Sequence, residues 1–417
     1  MPEPPRSPLG LNGLLSAVEA ASPVAAAEVI GAALAESLGA RDVSFLIADF
    51  GGASLIRLSH VGHVGNVDGD GDDDDDDDDD DAQRRERTEA VPLDGTPHGR
   101  ALVEQKVEII DDDGGIRLLA PVSNRGEAVG VLEVGLDETP EEQTVAGIAD
   151  VARALAYIVV ADRRFTDLYE WGQRSVPLSL EAEIQHRLLP GSYTCETGQF
   201  TLAGWVEPAG NVGGDTFDFS LERDTLHLSL TDAMGHKVDA ALLATVLVGA
   251  LRNARRRGVG LDEQARLADE ALTTHARDGG FVTGQLVRVD LRSGCARLVN
   301  AGHPPPIRVR AGRAEALRLH ADPPFGTVSP GTHLVQELAL EPGDRLVFLT
   351  DGMLDRNAAA LDVHSVLTAG RGLHAREAVR ELTRAVLRAC GGDLRDDATV
   401  LCFDWHGGPP ADREADG

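Results

Sequence analysis

The stretch Asn211 to His236, NVGGDTFDFSLERDTLHLSLTDAMGH, constrains the fold more than any other part of the chain. Gly213-Gly214 is a turn signal directly ahead of Asp215. Thr216 to Leu221 then suits a strand and Arg223-Asp224 a turn. Leu226, Leu228 and Leu230 alternate with His227, Ser229 and Thr231, the period of a half-buried strand, and Asp232 stands at its end. The pattern predicts a hairpin that brings Asp215 and Asp232 together. Two carboxylates held close in a poorly hydrated site repel each other, so either one takes a proton or a cation sits between them. A hard divalent ion such as Mg²⁺ or Mn²⁺ prefers oxygen ligands. Taken alone, either aspartate reads better as a solvated turn residue.

Two further segments repeat the theme. Arg345 to Thr350 is an apolar, β-prone run ending in Asp351-Gly352, and Asp396-Asp397 stands just before another such run, Ala398 to Phe403. Acidic residues at the edges of strands are how a two-metal centre is built on a sheet scaffold. The blocks VGGDTFD, TDAMGH, FVTGQLVRVDLRSG, LVNAGHPPPI, LVFLTDGMLD and DDATVL follow one another over roughly residues 176–405. In that order they resemble the PPM (protein phosphatase 2C-like) serine/threonine phosphatases, in particular the bacterial SpoIIE/RsbU-like branch.

The resemblance implies an α+β chain whose C-terminal part is an α/β/β/α sandwich, two packed antiparallel sheets flanked by helices. Ala240–Arg257 and Leu261–Arg277 would be paired helices, with Phe281–Leu291 and Ala296–Val299 as strands. It also implies two Mn²⁺ or Mg²⁺ ions held by Asp215, Asp232, Asp351, Asp396 and the backbone carbonyl of Ala233, with Asp232 bridging. Asp396 is preferred to Asp397 because the family places its ligand first in the pair, and Asp218 is a candidate outer partner. The implied activity is hydrolysis of phosphoserine or phosphothreonine by metal-activated water. The implied substrate is a phosphorylated STAS-domain protein, an anti-sigma-factor antagonist. A phosphatase-fold sensor or scaffold without turnover is the competing reading. The one departure nearby is Gly235-His236-Lys237, where the family continues Gly-His-Gly. His303, in a Pro-rich turn, reads as a structural histidine, and the arginines at 255–257 as complements to a helix C-terminus.

Composition excludes other classes. The 417 residues carry a net charge of −30, which argues against nucleic-acid binding and against docking on anionic lipid. Four cysteines without CxxC or zinc spacing suit a reducing cytoplasm. No signal peptide opens the sequence, and no uninterrupted apolar run approaches a membrane span.

The N-terminal part divides further. Residues 1–10 read as disordered. Residues 11–136 read as a helix broken at Ser22-Pro23, a hairpin, a loop and a closing hairpin, which resembles a GAF-type sensory domain with a small-molecule or protein input. Residues 61–90, with the run Asp72–Asp81, read as a disordered acidic insertion. Residues 137–175 read as a connector helix begun by a Thr139/Glu142 capping box. Its apolar seam, Val145, Ile148, Val151, Leu155 and Ile158, extended by Phe165 and Leu168, would either pack on the sensory domain or pair two copies as a homodimer. The phosphatase domain is set at 176–407 and a disordered tail at 408–417. The helix Leu178–Leu189 that opens the phosphatase domain is placed to transmit movement into it.

Overall fold

The structure is a computed structural model. It describes residues 11–62, 90–112, 114–174, 178–209, 213–235, 237–275, 279–327, 333–354, 361–392 and 394–407. The acidic run, both chain ends and His236 lie outside the described residues. The chain forms two compact units that divide between Pro177 and Leu178.

Unit 1 is built on one six-stranded antiparallel sheet, in the order β3-β2-β1-β6-β5-β4. The strands are β1 (Asp42–Ala48), β2 (Ser54–Gly62), β3 (Ala90–Pro92), β4 (Glu108–Asp112), β5 (Gly115–Asn124) and β6 (Glu127–Leu136). Helices α1 (Leu11–Ala20) and α2 (Ala26–Leu38) come first, separated at Ser22-Pro23, where proline cannot continue a helix. Helix α3 (Pro97–Glu104) is capped by the Thr96 hydroxyl, which accepts from Gly99 N at 3.1 Å. Helix α4 (Glu142–Asp162) follows β6, and the short α5 (Leu168–Gly172) ends the unit. Central β1 is covered on both faces. Val43, Phe45 and Ile47 pack with α2 and α4, while Leu46 and Ala48 pack with α3. A strand buried on both sides needs a continuous apolar run, and β1 has one.

Two expectations for residues 137–175, the Thr139 cap and the extension of the seam to Phe165, are corrected, and of the two readings of the seam the packing on unit 1 holds. Glu141, not Thr139, is the residue at the start of α4, and it makes no side-chain cap bond. The seam does not wait for a second copy. Ile148, Val151, Leu155 and Ile158 are buried in the core of unit 1, so they cannot also form a dimer face. Phe165 lies beyond the end of α4 and is 74% exposed. By length and composition alone, α4 could also cross a membrane, which the search for uninterrupted apolar runs missed. Its burial against the sheet marks it as a core helix.

Unit 2 opens with α6 (Leu180–Leu188), capped by the Ser179 hydroxyl on Ala182 N. Two antiparallel sheets follow. The five-stranded sheet runs β15-β12-β11-β10-β9 and the six-stranded sheet β14-β13-β16-β17-β8-β7. The strands are β7 (Thr194–Glu196), β8 (Phe200–Glu207), β9 (Asp215–Leu221), β10 (Thr225–Ala233), β11 (Val282–Asp290), β12 (Cys295–Ala301), β13 (Ile307–Arg310), β14 (Arg313–Ala316), β15 (Gln336–Ala339), β16 (Asp344–Leu349) and β17 (Ala398–Trp405). The sheets meet through alternate residues. Leu226, Leu228 and Leu230 from one pack with Leu346, Phe348, Leu401 and Phe403 from the other. The opposite parity faces helices. Helices α7 (Lys237–Arg256) and α8 (Leu261–His275) cover the first sheet, and α9 (Val363–Ala369) and α10 (Ala375–Ala389) the second. The result is the α/β/β/α sandwich. Each fully buried Leu or Phe in the inter-sheet layer contributes roughly 1.5–3 kcal/mol, so this layer is the main support of the unit.

Candidate metal centre

The predicted hairpin is β9–β10, and its register pairs Asp215 directly with Asp232. Asp232 continues the parity of Leu226, Leu228 and Leu230, so both aspartates belong to the inter-sheet face at one end of the sandwich. Asp215 is 2% exposed. Its Oδ2 accepts hydroxyl hydrogens from Thr350 at 2.7 Å and Thr399 at 2.6 Å, both from the opposite sheet. Thr350 Oγ1 in turn accepts from Thr399 N at 2.9 Å. These threonines continue the inward parity of Leu346-Phe348 and Leu401-Phe403. The first sheet therefore supplies the carboxylate, and the second supplies the donors that orient it.

The remaining acids arrive from the same strand ends. Asp351 follows Thr350 and begins a 3₁₀ turn, Asp351–Leu354, with its side chain exposed. Asp396 is also exposed, and its Oδ1 accepts from Asp397 N at 2.9 Å. Asp397 is 1% exposed. Its carboxylate accepts from Ala209 N at 3.0 Å and from Gln185 Nε2 at 2.7 Å.

Glycines make room for this convergence. A Cβ on Gly352 would lie 2.1 Å from the Asp397 carbonyl oxygen, and one on Gly214 would lie 2.6 Å from that of Ala233. Glycine at 214 thus keeps a side chain off the carbonyl expected to coordinate.

The electrostatics are those of an acidic cluster short of positive charge. Burial, then the charges of Asp232 and Asp397, hold Asp215 well above the usual carboxylate range, against the pull of the two threonine hydroxyls. Asp232 is pushed up to about 7 by burial and by Asp351, Asp396 and Asp397, all of its own sign. Burial also raises Asp397, opposed by its hydrogen-bond donors.

Among the described residues, no three His, Cys, Asp or Glu side chains close on one point as a finished coordination shell. The donor set nonetheless fits a hard divalent cation. It is all oxygen, and the mutual repulsion of its members is the energy such a cation would relieve.

Other sequence-predicted positions fall elsewhere. Asp218 has the opposite parity to Asp215. It forms ion pairs at 3.0 Å with Arg252 and with Arg255 of α7. It is therefore no outer partner of the acidic centre, and Arg255 has an intramolecular acid to bind. His303 is structural: it is buried, its Nδ1 lies 2.9 Å from Thr283 Oγ1, and burial lowers its pKa to about 4. Thr350, Thr399 and Gln185 were missed, and Asp397 was weighed and set behind Asp396. Strand parity could have found the two threonines and favoured Asp397, and Gln185 could have been found as an amide on the buried face of α6.

Comparison with known proteins finds similarity in the same part of the chain. Residues 222–406 match the family described as Stage II sporulation protein E (SpoIIE). The match covers less than half of the chain and makes this part of it similar to that family. A curated relative, Protein IcfG of Synechocystis sp., is 24% identical over 212 residues, covering 44% of this chain and 33% of that protein. The chain thus spans about a third of that relative's length. Among solved structures, the RsbU and RsbW domains of Rv1364c from Mycobacterium tuberculosis are similar at 25% identity and a TM-score of 0.45, covering 51% of this chain and 63% of that one. The phosphatase domain and regulatory fragment of SpoIIE from Bacillus subtilis are similar at 15% identity and a TM-score of 0.45, covering 73% and 85%.

Proposed function

We propose that the protein is a metal-dependent serine/threonine phosphatase acting on a phosphorylated regulatory protein, under the control of unit 1 as a GAF-like sensory module. The observation that carries this reading is the facing pair Asp215–Asp232, both raised first by desolvation and then by like charge, in a part of the chain similar to the SpoIIE family. Asp232, the Ala233 carbonyl, Asp351, Asp396 and Asp215 would hold two Mn²⁺ or Mg²⁺ ions. Such ions supply a water acidic enough to attack at neutral pH and neutralise the phosphoryl oxygens.

The chain's own residues perform the rest. Thr350 and Thr399 fix the orientation of the Asp215 carboxylate. Gln185 binds both the Asp215 carbonyl and the Asp397 carboxylate. Exposed Asp351 and Asp396 face the side from which a phosphoprotein must approach. The bond broken is phosphorus to the serine or threonine oxygen. Water adds to phosphorus, and the side chain leaves as a free hydroxyl. Following the family resemblance, the substrate is a phosphorylated STAS-domain protein.

The test is phosphate release from a phosphoserine STAS protein by the full chain, with Mn²⁺ or Mg²⁺ and after chelation. Turnover with metal that stops on chelation is expected. Turnover that survives chelation, or none with either metal, overturns the proposal.

A further inference from the structure

Residues 394–397 cross the mouth of the acidic centre between two anchors. Leu394 packs against the core under α9 and α10, and Asp397 is buried and held by Ala209 N and Gln185 Nε2. Between them, Arg395 and Asp396 are exposed. The backbone there is pressed against the turn that carries Asp351. A Cβ on Gly352 would lie 2.1 Å from the Asp397 carbonyl oxygen and 3.2 Å from that of Asp396. Arg395 therefore rises from a fixed base beside both exposed acids. The centre is carried by the stretches 213–218, 230–235, 349–354 and 394–399, and Arg395 is the one basic residue in them. Among the described residues it makes no ion pair and no hydrogen bond. An arginine this close to several carboxylates would ordinarily fold onto them. Yet the charges that act on Asp232 are those of Asp351, Asp396 and Asp397, with no cation among them. The guanidinium thus points away from the centre, toward whatever docks over it.

We propose that Arg395 is a specificity-determining residue that grips an acidic side chain of the phosphoprotein close to its phosphorylated serine or threonine. The inference rests on the phosphatase reading and deepens it by naming the substrate class: a phosphorylated segment with a carboxylate beside the phosphorylated residue. Arginine presents a planar fork of donors that matches a carboxylate. Neighbouring Cα atoms stand about 3.8 Å apart, and an extended peptide advances about 3.3–3.6 Å per residue. An arginine one residue from Asp396 therefore reaches a side chain within about three residues of the phosphorylated one. The phosphoryl group falls to the acidic centre, so Arg395 sorts substrates and takes no part in the bond that breaks. Its exposure sets the size of the effect, because an ion pair at an open surface is weak and is screened by salt.

The test uses the full chain with Mn²⁺ and three substrates: a phosphoserine peptide flanked by aspartates, the same peptide flanked by asparagines, and p-nitrophenyl phosphate, which has no flank. Arg395 is exposed, so its substitution disturbs no packed side chain. The wild type is expected to favour the aspartate peptide by about 2–5-fold in kcat/KM, chiefly through KM, and to lose that preference at high salt. Arg395→Gln should abolish the preference by raising KM for the aspartate peptide alone. Arg395→Lys, which keeps the charge, should retain part of it, and Arg395→Glu should turn it toward the asparagine peptide. If the wild type turns over p-nitrophenyl phosphate but treats the two peptides alike, or if Arg395→Gln keeps the preference, the assignment is wrong and the phosphatase reading stands. If Arg395→Gln slows p-nitrophenyl phosphate as much as the aspartate peptide, the arginine serves the phosphoryl group instead of the flank, and the assignment is again overturned. If the wild type turns over none of the three, the phosphatase reading itself falls, and this inference with it.

Discussion

Each unit buries a carboxylate on an antiparallel sheet, and the two are treated in opposite ways. In unit 1, Glu133 on β6 is 2% exposed. His98 Nε2 lies 2.5 Å from it and Arg57 NH1 2.7 Å, with Arg117 NH1 at 3.7 Å. Burial alone would raise its pKa, but the His98 hydrogen bond and the Arg57 charge outweigh burial and hold it below the ordinary value. In unit 2, Asp215 is buried to the same extent, but Asp232 and Asp397 are the charges acting on it, and it is raised. Unit 1 carries its own counter-charge. Unit 2 orients Asp215 and Asp397 with neutral hydroxyls and amides and sets no arginine among their hydrogen-bond partners. The first is a neutralised ion cluster and the second a cluster of like charges, and depth of burial alone would not separate them.

The largest expected effect is on catalysis. Asp232→Asn and Asp351→Asn should each lower kcat by roughly 10²–10³-fold with Mn²⁺ present, because each removes a charged ligand from the cations that would stabilise the reacting phosphoryl group. Steady-state assays check this, and a near-wild-type rate in either variant would refute the ligand assignment.

The second effect is on stability and falls on unit 1. Glu133→Ala removes the buried acid that Arg57 and His98 share, while Arg117 keeps Asp42 and Asp112, and should cost about 3 kcal/mol of unfolding free energy. Phosphatase turnover below the unfolding temperature should not change. Denaturant melts paired with the assay would show whether the two effects separate.

The third is a difference in sign with pH. The folded-state pKa of Asp232, about 7, exceeds its unfolded value, so ionising it destabilises the metal-free unit. That loss grows as pH rises from about 4 to about 7 and is complete above. Acidifying metal-free protein from pH 8 to 6.5 should therefore raise the unfolding temperature of unit 2. Below about 6.5 the effect of His303 is opposite, since its folded pKa of about 4 lets the unfolded chain take the proton first. Glu133, held below its ordinary value, contributes stability that is present above its unfolded pKa and is lost only as pH falls through the folded one. Mn²⁺ should remove the pH dependence of unit 2 above 6.5 and leave unit 1 unchanged. Calorimetric scans across pH, with and without Mn²⁺, measure this, and a flat metal-free profile would contradict it.

The smallest effect concerns one hydroxyl. Thr399→Val removes one of two donors to Asp215 and should cost about 1–3 kcal/mol, while Thr399→Ser, which keeps the hydroxyl, should cost much less. Equal losses would mean that the methyl group, not the hydrogen bond, matters.

The fold of unit 2 was legible because strand periodicity and turn residues agree in one segment after another. The β9–β10 hairpin is the clearest case: the turn at Arg223-Asp224 and the alternating leucines together set a register that can pair Asp215 only with Asp232. The pairing of two sheets, by contrast, came from resemblance, and the order of their strands was not read at all, since periodicity says nothing about which strands are neighbours. Within the site, family pattern drew attention to Asp396, while the burial phase of β17 points to Asp397 as the acid that faces inward. In unit 1 the seam of α4 was visible, but its partner was not. A helix with apolar residues at three- and four-residue spacing looks the same whether it packs on its own sheet or on a second copy. The length of the sheet it covers decides that, and sequence spacing does not record it.

The hydroxyls on Asp215 have a consequence for the protein's life in a cell. Because Thr350 and Thr399 come from the sheet opposite Asp215, the acidic cluster cannot assemble before the two sheets close on each other, and folding and the crowding of like charges are one event. An ion that binds only the closed sandwich adds RT ln(1 + [L]/Kd) to its stability. Scarcity of that ion would then enlarge the unfolded fraction exposed to proteases, so that cation supply sets how much of the protein persists as well as how fast each copy works.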